Sequence, residues 1–494
     1  MVYWFYKPEE TERGMLTMKL FSSDHKKHAR EESGSWKAAI FGDGPVDYRA
    51  AFKEWWFVCL MLVYGLISVL FLSHCSYPPQ ASETDTPAAA QTEATAEVPK
   101  EPSYTQATLA YAGDLVCHMD INAEANTGSG YDYLPVLEGC VPYVSDADLA
   151  FCCMETTFMD NAEISGYPMF RSPKELATGL KDAGFDFINT ASNHCMDSLK
   201  NGISSTLDVL DAAGLDHIGT YRSQEEWDEN HGIVVKDVNG ISIAFLSYTY
   251  GTNCIPITGF EYATNILFKD YMDTYADEIT EVDWDRLDAD MEYARGLDTD
   301  LICVFIHWGL EYHTQPVDYQ REIADHLFEQ GADLICGGHP HVPEPMEVRH
   351  VTDLEGNERT GYLCYCMGNF ISSMNDRYTN LTGVTTIELE KNEDTGETYL
   401  KNVSYAPLMM VDTADYGIGG AGWRYKLVDL HQALDSYAAG DNLGYINETL
   451  YAAMQTALSD IHDIFGVQFD RFDAGYQANT SGEMPAPAQT DEAA

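Results

Sequence analysis

The chain has 494 residues, 45% of them hydrophobic, and a formal net charge of -51. That length suits one large domain with appendages, and the apolar share supplies a core. The charge argues against nucleic acid as a partner, because so acidic a surface repels polyanions at long range unless bound metal ions reverse the field locally.

Residues 1–54 mix polar and aromatic residues without a period and are read as a poorly structured cytoplasmic tail. Residues 55–72 (WWFVCLMLVYGLISVLFL) carry no charge. At ~1.5 Å per residue the run reaches ~27 Å, close to the thickness of a bilayer core, so it is read as a transmembrane helix. Trp55 and Trp56 fit an interfacial position. Nine Lys and Arg precede the run and only Lys100 falls in the thirty residues after it. That asymmetry predicts a cytoplasmic N-terminus, a single pass through the cell membrane and an extracytoplasmic main domain. Residues 73–106, rich in Pro, Ala, Thr and Glu, read as a disordered spacer.

From Thr108 the pattern becomes strand, loop and helix. Apolar β-like runs fall at 108–112, 148–153, 185–190, 241–248, 300–306, 333–336 and 361–367. Helical stretches run from Pro173 to about Gly184, from Gly202 to Gly214 and from Pro316 to about Gly331, with Pro opening the first and third and Gly closing all three. Residues 383–410 read as two strands around the turn at 392–396. A helical extension is expected over 413–479, best formed at 446–465, and a disordered tail over 480–494. Such alternation predicts an α/β layered domain over 107–412. Most of the twelve cysteines sit in apolar runs and read as buried free thiols.

Several metal-ligand residue types follow these runs. Asp114 ends the first, Glu155 follows the second, and Asn193 and His194 follow the third. His307 ends a long apolar run, and His339 and His341 flank Pro340. Each alone has an ordinary reading as a turn, a cap or a satisfied core histidine. Together, beyond the carboxyl ends of strands in an open α/β sheet, they read as a site for divalent metal ions. Two such ions about 3.5–4 Å apart clamp the attacking and leaving oxygens of a hydrolysis.

The segments YAGDLVCH (111–118), CMET (153–156), ASNHCMD (191–197), HWGLEY (307–312), GADLICGGHPHV (331–342) and YCMGNF (365–370) resemble the CapA family of poly-γ-glutamate capsule proteins, within the calcineurin-like metallophosphoesterase superfamily. The resemblance covers roughly residues 107–375. It implies a sandwich of two β-sheets flanked by helices, with the site at their shared edge. It also implies a role in synthesis, export or attachment of poly-γ-glutamate or a related anionic surface polymer, alongside a membrane synthase complex. Asp114 would bind a first metal and Glu155 would bridge. Asn193 and His307 would bind a second metal, with one of His339 and His341 on each. His194 would act as general acid or transition-state stabiliser, oriented by Asp197. The metals would be Mn, Fe or Zn.

The chain departs from the pattern in places. Val116 stands where the superfamily has a His, leaving His118 as either a substitute ligand or a substrate contact. Cys153 either ligates a soft metal or packs, and packing is favoured. Glu311 lies in a family motif without an assigned role. Two alternatives stay open: a non-catalytic scaffold for a polymer synthase, and a phosphodiesterase unrelated to capsule.

Overall fold

The structure, a computed structural model, describes residues 102–272 and 281–478. The expected tail, membrane helix, most of the spacer and the C-terminal tail lie outside the described residues. Fourteen strands form two sheets among the described residues. In the first, β1 (Tyr104–Leu115), β2 (Leu149–Met154), β3 (Phe187–Asn189) and β4 (Asp216–Ile218) run parallel. Three long strands arrive later in the chain: β12 (Leu381–Asn392), β13 (Thr398–Asp412) and β14 (Tyr425–Asp429). They extend that sheet antiparallel from β1, while the short β11 (Asn369–Ile371) pairs with the end of β1. The second sheet has the order β5 (Val234–Val238), β6 (Ile241–Thr249), β7 (Leu301–His307), β8 (Leu334–Gly338), β10 (Glu358–Cys364) and β9 (Met346–Thr352).

Period-two alternation sorts each strand between two cores. Leu109, Tyr111, Phe151, Phe245 and Phe305 point between the sheets, with ring centroids of neighbouring Phe residues 5.1–6.1 Å apart. Ala110, Ala112, Ala150 and Cys152 face outward, where helices α1 (Glu175–Ala183) and α2 (Leu199–Ala213) cover them. On the second sheet Ala244, Leu246, Ile302 and Val304 face α3 (Trp284–Arg295) and α4 (Asp318–Glu329). The result is the expected two-sheet sandwich flanked by helices. The C-terminal helices α5 (Leu430–Ala438) and α6 (Glu448–Phe465) join the inter-sheet core through Leu430, Leu450, Met454, Ile461 and Phe465. Tyr405 of β13 meets Phe465 edge-on at 5.3 Å.

The membrane expectation is corrected here. Among the described residues no helix is long and apolar enough to cross a membrane. The longest, α6, has 18 residues but is amphipathic, burying Leu450, Met454, Ala457, Ile461 and Phe465 and leaving residues such as Ala452, Gln455, Thr456, Ser459 and Asp463 exposed. The segment 55–72 lies outside the described residues. The preceding transmembrane helix, the membrane anchor, the single-pass topology, the extracytoplasmic placement and the membrane synthase partner therefore find no support.

Candidate metal centre

All the strand-end residues singled out by sequence converge where the two sheets meet. Asp114 is delivered by a bulge: the β1–β2 register shifts between Ala112 and Asp114, which re-aims the side chain. Gly113 makes the bulge feasible, since a Cβ there would lie 2.0 Å from the Gly368 carbonyl oxygen. Asp114 then reaches across to the second sheet, where its Oδ2 accepts the His339 backbone N–H at 2.7 Å. Gly338 is required for that approach, because a Cβ on it would sit 2.3 Å from Asp114 Oδ1.

The loop after β8 holds His339 at φ 101° and His341 at φ 61°. Left-handed backbone at two non-glycine residues is strained and persists only where its surroundings fix it. Here Trp308 N–H donates to Gly338 O (3.0 Å) and Tyr312 N–H to Pro340 O (2.8 Å). The His341 Nδ1 lies 3.0 Å from Asn369 Oδ1. His307 Nε2 lies 3.1 Å from Asn193 Oδ1 and 3.6 Å from Glu155 Oε2. His341 Nδ1 lies 4.0 Å from Glu155 Oε1.

Asp114, Glu155, His307, His339 and His341 are all buried. Yet Asp114 Oδ1, both Glu155 carboxylate oxygens and both His339 ring nitrogens have no hydrogen-bond partner. An unpaired buried polar group is costly, and an ionised one costs several kcal/mol. The electrostatics show the same tension. Burial raises Asp114 to about 7 despite the His339 N–H. Burial raises Glu155 well above the usual carboxylate range, and Asp114, Glu311 and Asp197 raise it further. Burial pushes His307 and His339 well below the ordinary imidazole value, and takes His341 to about 4. Neutral imidazoles beside carboxylates that lack a counter-charge are the donor set a divalent cation resolves.

Two groups of ligand-type atoms lie close enough to hold an ion: Asp114, Glu155 and His341, and Asp114, Cys153 and His307. Asp114 is common to both, whereas sequence reading gave Glu155 the bridging place. Cys153 Sγ sits 3.8 Å from His307 Nδ1, at van der Waals distance. His118 turns elsewhere. Its Nδ1 is 3.0 Å from Val116 O and 3.4 Å from Ser373 N, and its ring meets Phe170 edge-on.

His194 and Asp197 form the expected pair, Nδ1 to Oδ2 at 2.8 Å. The Asp197 Oδ2 also accepts Phe170 N–H (2.5 Å), and the Phe170 ring abuts His194 at 4.7 Å. Asn253 Nδ2 lies 3.4 Å from His194 Nε2 and Asn253 Oδ1 accepts from Asn193 Nδ2 at 3.2 Å. Exposed Glu311 and Tyr312 stand beside the histidine loop. Sequence reasoning gave no role to Asn253, Tyr250, which lies 4.5 Å from His339 ring to ring, or Asn369. Only Asn369 carried a signal, as the polar residue of the YCMGNF segment.

A family model described as "Bacterial capsule synthesis protein PGA_cap" matches residues 108–374, more than half of the chain and all of this site. This chain belongs to that capsule synthesis family. It is 31% identical over 219 residues to the "PGA biosynthesis protein CapA" of Bacillus subtilis (strain 168), covering 44% of this chain and 51% of that protein. It is 27% identical over 286 residues to the "Capsule biosynthesis protein CapA" of Bacillus anthracis, covering 57% and 63%. The chain thus spans between half and two thirds of these capsule relatives. A structure titled as a novel phosphatase from Mycoplasma pneumoniae aligns at 15% identity and TM-score 0.33, covering 62% of this chain and 94% of that one. A likeness that loose carries no weight here.

Proposed function

We propose that this protein is a divalent-metal-dependent hydrolase that cleaves a phosphoester or amide linkage during synthesis or attachment of an anionic surface polymer of poly-γ-glutamate type. One observation carries the reading: five unpartnered buried ligand atoms on Asp114, Glu155 and His339 lie in the same site as a carboxylate-oriented histidine. Asp114, Glu155, Asn193, His307, His339 and His341 would hold one or two ions of Mn, Fe or Zn. Such ions, when bound, polarise the scissile group and supply hydroxide at neutral pH.

The remaining chemistry belongs to the chain. With Nδ1–H donated to Asp197, His194 presents Nε2 as the atom that gives a proton to the leaving oxygen or nitrogen. Phe170 walls the imidazole on one side, and Asn253 crosses from the second sheet to meet it. The polymer assignment rests on the printed names of the two capsule relatives. The test is turnover by the full chain, with Mn²⁺ or Zn²⁺, of an activated phosphodiester and of poly-γ-glutamate. Metal-dependent cleavage that falls on His194→Ala supports the reading. Equal rates for wild type and variant, or none with any metal, would overturn it.

A further inference from the structure

A second cluster of metal-ligand side chains lies outside the matched residues 108–374, in the C-terminal part. His431 is the second residue of α5, His462 lies in the last turn of α6, and Asp470 follows the short 3₁₀ turn Val467–Phe469. Both imidazoles present Nε2 to the same oxygen, Asp470 Oδ2, at 2.7 and 2.8 Å. The three ligand-type atoms lie within 4.8 Å of one another.

We infer that His431, His462 and Asp470 form a structural zinc-type site that clips the two C-terminal helices to the first sheet. Two imidazole nitrogens and one carboxylate oxygen are a borderline-soft set suited to Zn²⁺, with a fourth position open to water. The surroundings fit a cation. Asp470 is fully buried, and its second oxygen is already taken by the Phe472 N–H at 3.0 Å. Asp429 and Asp435 act on His431, and Asp473 lies close enough to act on neighbouring Tyr405. The adjacent cation, Arg471, is turned away: its guanidinium covers the rings of Tyr143 and Phe472 and donates to Thr386 Oγ1. The two histidine side chains are each 18% exposed, so an ion has a way in.

The position explains the purpose. Asp470 pairs with Tyr405 of β13 in an isolated bridge, and the Arg471 N–H bonds Tyr405 O. An ion on these three residues would tie α5, α6 and β13 together at one point. This role is separate from catalysis and does not depend on the proposed hydrolase.

The experiment isolates the second site by working in full-length His307→Ala/His339→Ala/His341→Ala protein, which removes the histidines from both strand-end ligand groups. The expected result is one equivalent of Zn²⁺ by elemental analysis after dialysis, a Tm raised by added Zn²⁺, and a visible ligand-field spectrum of four-coordinate Co²⁺ on substitution. His431→Gln or His462→Gln in that background weakens zinc binding at least tenfold and abolishes the Tm rise. Circular dichroism checks that each variant is folded. Should both variants fail to fold, the Co²⁺ spectrum of the background protein still decides: its absence overturns the inference. Zinc retained at wild-type strength by folded His431→Gln and His462→Gln also overturns it, as does a background protein that binds no zinc, leaving the trio a hydrogen-bonded clamp.

Discussion

The two ends of the parallel strands use the same residue type in opposite ways. At the amino ends an aspartate stands just before each of β2, β3, β7 and β8. Asp148 accepts from Thr108 N–H (2.8 Å), Asp186 from Ala150 N–H (3.2 Å), Asp300 from Ser242 N–H (2.8 Å) and Asp333 from Ile302 N–H (2.8 Å). Each caps the neighbouring strand, and Asp333 also receives Arg359 at 2.6 Å. At the carboxyl ends Asp114 and Glu155 are fully buried, deeper than any of these four, yet three of their four oxygens have no partner. Burial and the supply of partners both separate the two ends. The carboxylates at the amino ends find partners within the chain, and those at the carboxyl ends largely do not.

The sharpest way to break this contrast is to remove the imidazoles. His339→Ala/His341→Ala should lose the strand-end metal and lower kcat by on the order of 10³-fold or more, the several kcal/mol that metal charge stabilisation supplies. Metal content and kcat measured together would show it, and retained turnover would make the strand-end carboxylates structural. A smaller loss, about 10²–10⁴-fold in kcat, is expected for His194→Ala with metal content intact. Metal lost along with rate would place His194 among the ligands instead.

At the opposite end the effect should fall on stability alone. Asp333→Ala leaves Ile302 N–H unpaired and Arg359 with only the more distant carboxylate of Asp353, at 3.6 Å. Because the Arg359 side chain is partly exposed, the expected cost is about 2 kcal/mol rather than the larger cost of a fully buried pair. Urea midpoints would register it, with kcat unchanged.

The contrast also marks what the sequence could tell. Strands whose buried faces leave uninterrupted apolar runs, such as β6 and β7, were legible, as were helices punctuated by Pro and Gly: Pro173 precedes α1, and Gly184 closes it at φ 111°. Short or half-exposed edge strands were not, because β4, β5 and β9 owe their conformation to a neighbour and carry little pattern of their own. The site's chemistry was legible by residue type and motif. Its internal wiring was not: that Asp114 serves both ligand groups depends on a bulge at Gly113, and that Cys153 faces His307 depends on how the two sheets pack. The two sheets also had to close before Asn253 could meet His194. The apolar run at 55–72 shows the opposite error, where length and hydropathy suggested a membrane span that no described helix supplies.

Glu344 lies between the two cases and tests the contrast most finely. It is buried three residues beyond His341; one oxygen accepts from Gln320 Nε2 at 2.9 Å and the other has no partner. Burial raises it to about 8, against the lowering effect of Gln320 and Arg321. Between its ordinary value near 4.5 and about 8, the native state holds a proton that the unfolded chain has released. The native state therefore binds more protons, and stability falls as pH rises through that window. Glu344→Gln keeps an acceptor for Gln320 and cannot ionise. Its stability should match wild type near pH 5 and exceed it increasingly toward pH 8, by no more than about 2 kcal/mol. Parallel slopes for the two proteins would mean that burial does not hold Glu344 protonated, and that the uncompensated carboxylates are confined to Asp114 and Glu155.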